Sequence, residues 1–484
     1  MTGTADGVNR PRYGARVDPS RASYDAVVVG AGPNGLTAAA RLAREGRAVL
    51  VLEAGTTIGG GSRTKPLTES ARYDVCAAVH PFGASSPAFE SLALTDHGLT
   101  WLHPPIALAH PFDDGHAAVV QRDETATSAG LGADGRRWTQ VVGSLAADWD
   151  RLRHLVMGPV PAGMLRHPLR MARFGSLAGL PVQLVDRLFR EAEARALLTG
   201  LAAHGGISLR QPTTAGVGLA LAAAAHAVGM PVAAGGSQSI VDALAAVVLE
   251  AGGEIACNRH IDSIADVPDH QVLLLDLTPG QAARLLGRRT PRWRHGTAAW
   301  KLDLLLSAPM PWTAEACRQA GTVHLGGSSE QIAEAERRTA RGDLPERPYV
   351  IVAQPSLSDP SRAPDGHHVL WAYRHVPNGC DDPAATSGIE AQFDRFAPGW
   401  RDLVLHRQTT TAVDYSAYNA SYVGGDISGG AMTPWQTVAR PRLALDPYRT
   451  QTKGVWLCSQ STPPGPGVHG MCGWHAAGSV LRHT

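Results

Sequence analysis

Residues 24–53 read YDAVVVGAGPNGLTAAARLAREGRAVLVLE, and no other stretch limits the fold as tightly. YDAVVV is short and valine-rich, which suits a strand buried on both faces of a parallel sheet. LTAAARLAREG is made of good helix formers and closes on Gly46, a natural C-cap. AVLVLE then supplies a second buried strand ending in the acid Glu53. Gly30, Gly32 and Gly35 fall between the first strand and the helix, with Glu53 about 20 residues further on. In that context the spelling G-x-G-x-x-G predicts a dinucleotide-binding βαβ unit. Gly30 makes the tight turn, Gly32 lets the backbone approach a pyrophosphate, and Gly35 lets helix and strand pack closely. The helix N-terminus stabilises phosphate charge, and Pro33 and Asn34, in the turn before it, are candidate contacts to the cofactor. Glu53 is placed to accept both hydroxyls of an unphosphorylated adenosine ribose, and it would repel a 2′-phosphate.

The same spelling recurs at GLGADG (Gly130–Gly135) and GPGVHG (Gly465–Gly470). The first follows the polar run DETATSAG, with no strand before it, and reads as a glycine loop. The second lies between a plausible strand, GVWLCSQST, and a plausible helix, MCGWHAAGSVL. Only a few residues follow it in this sequence, so no second strand and acid are expected. It can only complete a site begun elsewhere, and a single dinucleotide is expected.

Several classes are set aside by composition. At 484 residues the chain allows two or three domains, and a net charge of +1 gives no general attraction to nucleic acid. The six cysteines (Cys76, Cys257, Cys317, Cys380, Cys458 and Cys472) form no C-x-x-C pair, which predicts reduced thiols in a cytoplasmic protein. Residues 1–23 are polar, lack an apolar signal core and read as a disordered tail. Residues 211–241 carry no Asp, Glu, Lys or Arg. They are broken by Pro212, His226 and Pro231, so a buried helix is expected there rather than a transmembrane one. A peripheral membrane contact stays open.

After Glu53 comes AGTTIGGGSRT, Ala54–Thr64. This glycine cluster followed by arginine resembles the second motif of the FAD-dependent amine oxidase and phytoene desaturase superfamily. The stretches GTVHLGGSSEQI, QPSLSDPSRAPDGHHVLWAY, YVGGDISGG and CSQSTPPGPGVHGMCGWHAA resemble its phytoene dehydrogenase-related branch, the pyridine nucleotide-disulphide oxidoreductase domain-containing protein 2-like group. The resemblance covers nearly all of the chain after residue 23. It implies FAD as cofactor, with Ala54, Gly60, Gly61 and Arg63 around the pyrophosphate and flavin end. AGGSQSIVDALAAVVLEAGGEIACNRHIDSI (Ala234–Ile264) resembles the helix and hairpin that return to the nucleotide domain, with Ile261 meeting the adenine through its backbone. The resemblance also implies that Pro464–Gly470 closes over the isoalloxazine, with Ser459 nearby. Gly467 then gives close approach to the ring, and the amides of Val468 and His469 face the N1–C2=O edge. A helix N-terminus there favours the negative charge of reduced flavin.

Candidate chemistry is sparse. Lysine occurs only at Lys65, Lys301 and Lys453 in an arginine-rich chain, so Lys301 in AAWKLDLLL stands out. Its place resembles that of the amine oxidase lysine that holds water against flavin N5; next to Asp303 it also reads as an ion-paired surface residue. On this reading Lys301→Met slows reoxidation by oxygen and leaves the fold intact. His80 in YDVCAAVHPF, on an expected strand, and His469 on the closing loop are the candidate proton carriers. Either also reads as a packed histidine. His469, Cys472 and His475 fall three apart, but with no fourth ligand in view no metal is expected. Tyr415, Tyr418, Tyr422 and Trp435 either line an apolar cavity or pack a domain.

The fold expected is α/β (α+β overall). A discontinuous Rossmann-like FAD/NAD(P)-binding domain spans 24–84, 232–290 and 423–484, with an inserted mixed sheet-plus-helix substrate domain from 85–231 and 291–422. The function expected is FAD-dependent dehydrogenation of an apolar small molecule, with hydride passing from carbon to flavin N5. Oxygen, a quinone or another diffusible acceptor reoxidises the flavin. Amine (C–N) oxidation and a structural, non-redox flavin are the alternatives. The partners expected are that substrate and acceptor and, within a homo-oligomer, a second copy of the chain, but no nucleic acid.

Overall fold

The structure is a computed structural model that describes residues 23–484 apart from 161, 162, 164, 166 and 365. Of the expected tail at 1–23, residues 1–22 lie outside the described residues.

Three separated segments build one parallel five-stranded sheet. Its order is Val455–Leu457, His270–Leu275, Tyr24–Val29, Val49–Leu52 and Glu254–Ala256. Both faces are buried, as the unbroken apolar runs require. Ala26 and Val28 point into one core, and Val27 and Val29 into the other. Helices Pro33–Arg44, Gln238–Glu250 and Met471–Leu481 cover the first face, and helix Pro279–Leu285 covers the second. The expected hairpin after residue 250 is not formed. Glu254–Ala256 pairs parallel with Val49–Leu52, and the chain beyond it bonds to the Glu53–Gly55 backbone, with Arg259 N donating to Glu53 O at 2.8 Å.

A seven-stranded sheet stands over this layer, in the order Val404–Thr410, Ala298–Leu306, His368–Val376, Val350–Ala353, Ala320–Leu325, Ile106–Pro111 and Ala117–Val120. Alternation along Ala298–Leu306 decides its two faces. Trp300, Leu302, Leu304 and Leu306 pack on helix Ala384–Phe396 through Ile389, Phe393 and Phe396. Lys301 and Asp303 point the other way, opposite Tyr373 and Trp371 of the neighbouring strand. Both charged residues are fully buried, so Lys301 is not a surface lysine.

Residues 211–241 contain the buried helix Thr214–Val228, and among the described residues no helix is long and apolar enough to cross a membrane. GLGADG is helical rather than a loop. Helix Glu124–Gly130 starts where the Asp123 side chain accepts from Thr125 N at 2.9 Å, and the Asp134 carboxylate holds Arg190 N and Glu191 N at 2.7 Å.

Candidate functional site

The first glycine turn forms as expected. Gly30 has φ +105°, and a Cβ on Gly35 would stand 2.0 Å from the Gly30 carbonyl oxygen, so neither position takes a side chain. The second motif lies directly on the first. Gly59 N donates to Ala31 O at 2.9 Å, and a Cβ on Gly60 would come 3.1 Å from the Gly32 Cα. Gly61 is hemmed by the Tyr422 hydroxyl and the Cys76 side chain.

Glu53 sits at the lip of this cradle. Its Oε2 accepts from Ala31 N at 2.9 Å and its Oε1 from Gly55 N at 2.8 Å. Arg63 approaches Oε1 at 3.4 Å, donates to Ile58 O at 3.1 Å, and donates to the Tyr418 hydroxyl at 2.9 Å. Ala54 is exposed beside Glu53. Ile261 packs against the cluster that holds Leu52 and Ala256. The Ser459 hydroxyl is spent within the protein, donating to Leu277 O at 2.7 Å.

GPGVHG lies beside the same turn. The helix that follows it, Met471–Leu481, packs on Pro33–Arg44 near the start of both. A Cβ on Gly473 would lie 1.8 Å from Asn34 O, and one on Gly470 would meet the Thr37 side chain. Only glycine allows that approach. Two helix N-termini thus converge on the Gly30–Gly35 turn, and each carries partial positive charge at its first amides. Pro33 opens the first helix, and the Asn34 side chain is buried with its Oδ1 unpartnered. Gly467 has φ +132° and is the exposed residue of an otherwise largely buried loop, and Val468 O stands close to Gly83. A glycine cradle, a lip carboxylate and convergent amides fit an elongated anionic dinucleotide.

The candidate catalytic groups are tied to one stretch, residues 74–86. Lys301 Nζ pairs with Asp303 at 2.8 Å and donates to Asp74 O at 2.6 Å, lying 4.7 Å from the Tyr73 ring centroid. Burial pushes Asp303 up to about 6 despite the lysine beside it. The Asp74 carboxylate is held below its ordinary value. Burial, which opposes this, is outweighed by the Arg362 guanidinium at 2.9 Å and by bonds from Thr64 and Ser237. Ser237 leads on to His80. The Ser237 hydroxyl donates to Ala77 O at 2.6 Å, so His80 Nε2, 2.8 Å away, is the donor between them.

His80 is not on a strand. The strand ends at Asp74, and His80 caps the short helix Pro81–Ala84, because proline at N1 and the bond from His80 N to Pro231 O turn the chain. His469 staples its own loop. Its Nδ1 accepts from Met471 N at 3.0 Å, the carbonyls of Gly465 and Pro466 engage the same ring, and its own carbonyl accepts from Ser86 at 2.6 Å. Burial lowers both His80 and His469 to about 4, so both imidazoles are neutral at pH 7.

His469, Cys472 and His475 do not converge. Cys472 Sγ faces Thr462 O and Gly465 O, and His475 Nε2 faces Met157 O. Tyr415 and Tyr422 are buried and form an edge-to-face pair at 6.2 Å, whereas Trp435 is 67% exposed and lines nothing.

Two carboxylates were missed by sequence reasoning. Asp74, in YDVCAAVHPF, was passed over for His80. Asp276 ends the apolar run HQVLLL, and its Oδ2 accepts from Gly35 N at 3.1 Å, inside the glycine turn. A lone acid closing a buried strand beside a nucleotide motif was the available signal.

Residues 28–93 match the family described as NAD(P)-binding Rossmann-like domain. Over 95% of this chain and 93% of the relative, the sequence is 26% identical to pyridine nucleotide-disulfide oxidoreductase domain-containing protein 2 of Rattus norvegicus. It is 24% identical to phytoene desaturase (neurosporene-forming) of Rhodobacter capsulatus, over 51% of this chain and 52% of the relative. Among solved structures, putrescine oxidase superposes with a TM-score of 0.62 at 16% identity, covering 96% of this chain and 99% of that one. The last likeness is one of fold.

Proposed function

We propose that this homologue of phytoene desaturase binds FAD and dehydrogenates an apolar small molecule, leaving a C=C bond. The convergence of two glycine motifs and two helix N-termini on one turn carries the reading. One site of this kind takes one dinucleotide, and the lip acid Glu53 suits an adenosine ribose without a 2′-phosphate. Gly30, Gly32, Gly35, Gly60 and Arg63 hold the pyrophosphate end, and the Gly465–Gly470 loop covers the ring. Bound there, FAD supplies a ring that accepts a hydride.

The side chains that surround the site favour hydride transfer without a dedicated base. His80 and His469 are neutral imidazoles at pH 7, with His80 Nε2 bonded to the Ser237 hydroxyl and His469 Nδ1 to Met471 N. Lys301 keeps a buried cation on the sheet face above and orders water for reoxidation by a diffusible acceptor. Exposed Leu165, Leu169, Leu180, Leu184 and Leu188 support a peripheral membrane contact, through which an apolar substrate arrives. The stretch 163–190 that carries them has five arginines and one acid. Binding to anionic vesicles, weakened by Leu169→Ser with Leu184→Ser, is the expected result in a sedimentation assay.

Purified protein is expected to be yellow, and an anaerobic screen of polyene, acyl-chain, steroid and amine substrates should bleach it with one class. A colourless protein that refuses added FAD ends this reading. Glu53→Gln should weaken FAD binding by about 1–3 kcal/mol, since a charge-assisted bond becomes a neutral one; a titration of flavin fluorescence measures it. A second reading, C–N oxidation, is favoured by the buried edge-to-face pair Tyr415–Tyr422 beside Gly61, because an aromatic ring face attracts a substituted ammonium. Bleaching by amines and not by polyenes would select it.

A further inference from the structure

We propose that Asp276 takes up a proton from solvent as the pyrophosphate of the dinucleotide settles into the glycine turn. The inference rests on the FAD reading above and adds to it a binding residue and a proton.

The position of Asp276 is imposed by the sheet. Strand His270–Leu275 runs parallel beside Tyr24–Val29, with Leu275 opposite Val29, and Asp276 N donates to Val29 O at 2.9 Å. The Asp276 Cβ lies 3.0 Å from where a Cβ on Gly30 would stand. Its carboxylate then enters the turn. Oδ2 accepts from Gly35 N at 3.1 Å, takes a second bond from the Gly32 amide, and lies 2.8 Å from where a Cβ on Gly32 would stand. These are amides at the N-terminus of helix Pro33–Arg44, where a pyrophosphate is expected to bind.

A carboxylate and a pyrophosphate at one turn repel each other across a few ångströms, with little water between them to screen the charge. Glu53 across the turn adds a further negative charge. Protonation resolves the conflict. One negative charge disappears, and the carboxyl O–H becomes a donor to a phosphate oxygen. The free protein is already near that state, since burial raises Asp276 to about 7, helped by Glu53 and opposed by the bonds from the Gly35 and Gly32 amides. The other titratable groups that feel Asp276 are Cys458, Cys472 and Tyr422. Burial holds all three far above neutrality, so they do not change charge in the window that matters.

The sign follows from linkage. If the complex holds the proton and the free protein loses it near pH 7, affinity is flat below that pH and falls above it, by up to tenfold per pH unit. From pH 6.5 to 8.5 the Kd for FAD is expected to rise about twenty-five-fold. Calorimetry in two buffers of different ionisation enthalpy should show net proton uptake at pH 8. Asp276→Asn keeps the shape without the charge and should bind FAD with a flat profile and no proton uptake. A flat wild-type profile overturns the inference while leaving the FAD reading standing, as does an Asn variant that keeps the slope. Wild-type protein that binds no FAD at either pH overturns both. The wild-type titration and the calorimetry do not depend on how the variant folds.

Discussion

Alanine at Gly473 is expected to abolish stable flavin binding and to lower the melting temperature, although it adds a single methyl group. That methyl would sit 1.8 Å from Asn34 O, 2.7 Å from Asn34 C and 3.0 Å from Ala38 N, all backbone atoms of the facing helix. Backbone cannot rotate away as a side chain can, so helices Pro33–Arg44 and Met471–Leu481 must separate. Overpacking of this kind costs about 1–3 kcal/mol in ordinary cores and more where nothing can yield. The functional loss should exceed the stability loss, because the two N-termini diverge where the anion is held. Gly175→Ala is the control. Among the described residues, no atom beyond its chain neighbours and its own helix backbone lies within 4 Å of its added Cβ, and it sits inside helix Pro168–Ala178, so no change or a gain of about 0.5–1 kcal/mol is expected. Thermal melts and FAD titrations of both variants measure this, and a Gly473→Ala protein that behaves like its parent would refute the convergent site.

Lys301→Met should unfold the protein far more readily than a surface reading of Lys301 implies. Lys301 and Asp303 are both fully buried, 2.8 Å apart, and removing one partner of such a pair costs about 3–5 kcal/mol. The expectation of an intact fold is therefore replaced by one of marked destabilisation, with a particular pH signature. Asp303 is already raised from 3.8 to about 6 by burial, and without the lysine it rises further. A carboxyl whose folded pKa lies above its unfolded value binds its proton more tightly in the native state. Stability is thus retained below the unfolded value near 4 and lost as pH climbs through the folded one. Denaturant melts at pH 5 and pH 8 should show the variant weaker at pH 8. The double variant Lys301→Met with Asp303→Leu should recover much of the loss, since no charge is left behind. Equal stability of Lys301→Met and the parent at pH 8 would show that the pair contributes nothing.

The sequence was most readable where one short segment carries a whole unit. Residues 24–53 contain strand, turn, helix and strand, and the period of their apolar residues changes where the glycines fall. GPGVHG was legible for a similar reason: a strand precedes it and a helix follows, and Gly473 even supplies the contact that seats it. Legibility failed where meaning depends on a partner distant in the chain. Asp276 matters because it bonds to Gly35, 241 residues earlier, and nothing local marks that neighbour. Lys301 was noticed for its rarity and Asp303 for its spacing, yet their burial comes from the layer that covers that face of the sheet. His80 was misplaced onto a strand because VCAAV looks extended, while Pro81 and the Pro231 carbonyl decide the turn. Trp435 shows the reverse error, an aromatic residue in a promising neighbourhood that faces solvent.

The edge position of Val455–Leu457 has a consequence for biosynthesis. A ribosome delivers residues 24–53 early, with the glycine turn already spelled out, but their parallel neighbours and their second helix emerge hundreds of codons later. Until then the valine-rich strands have unsatisfied edges and the nascent turn has half its amides. The growing chain must be kept from aggregating through most of its translation, and cofactor loading can only be a late event.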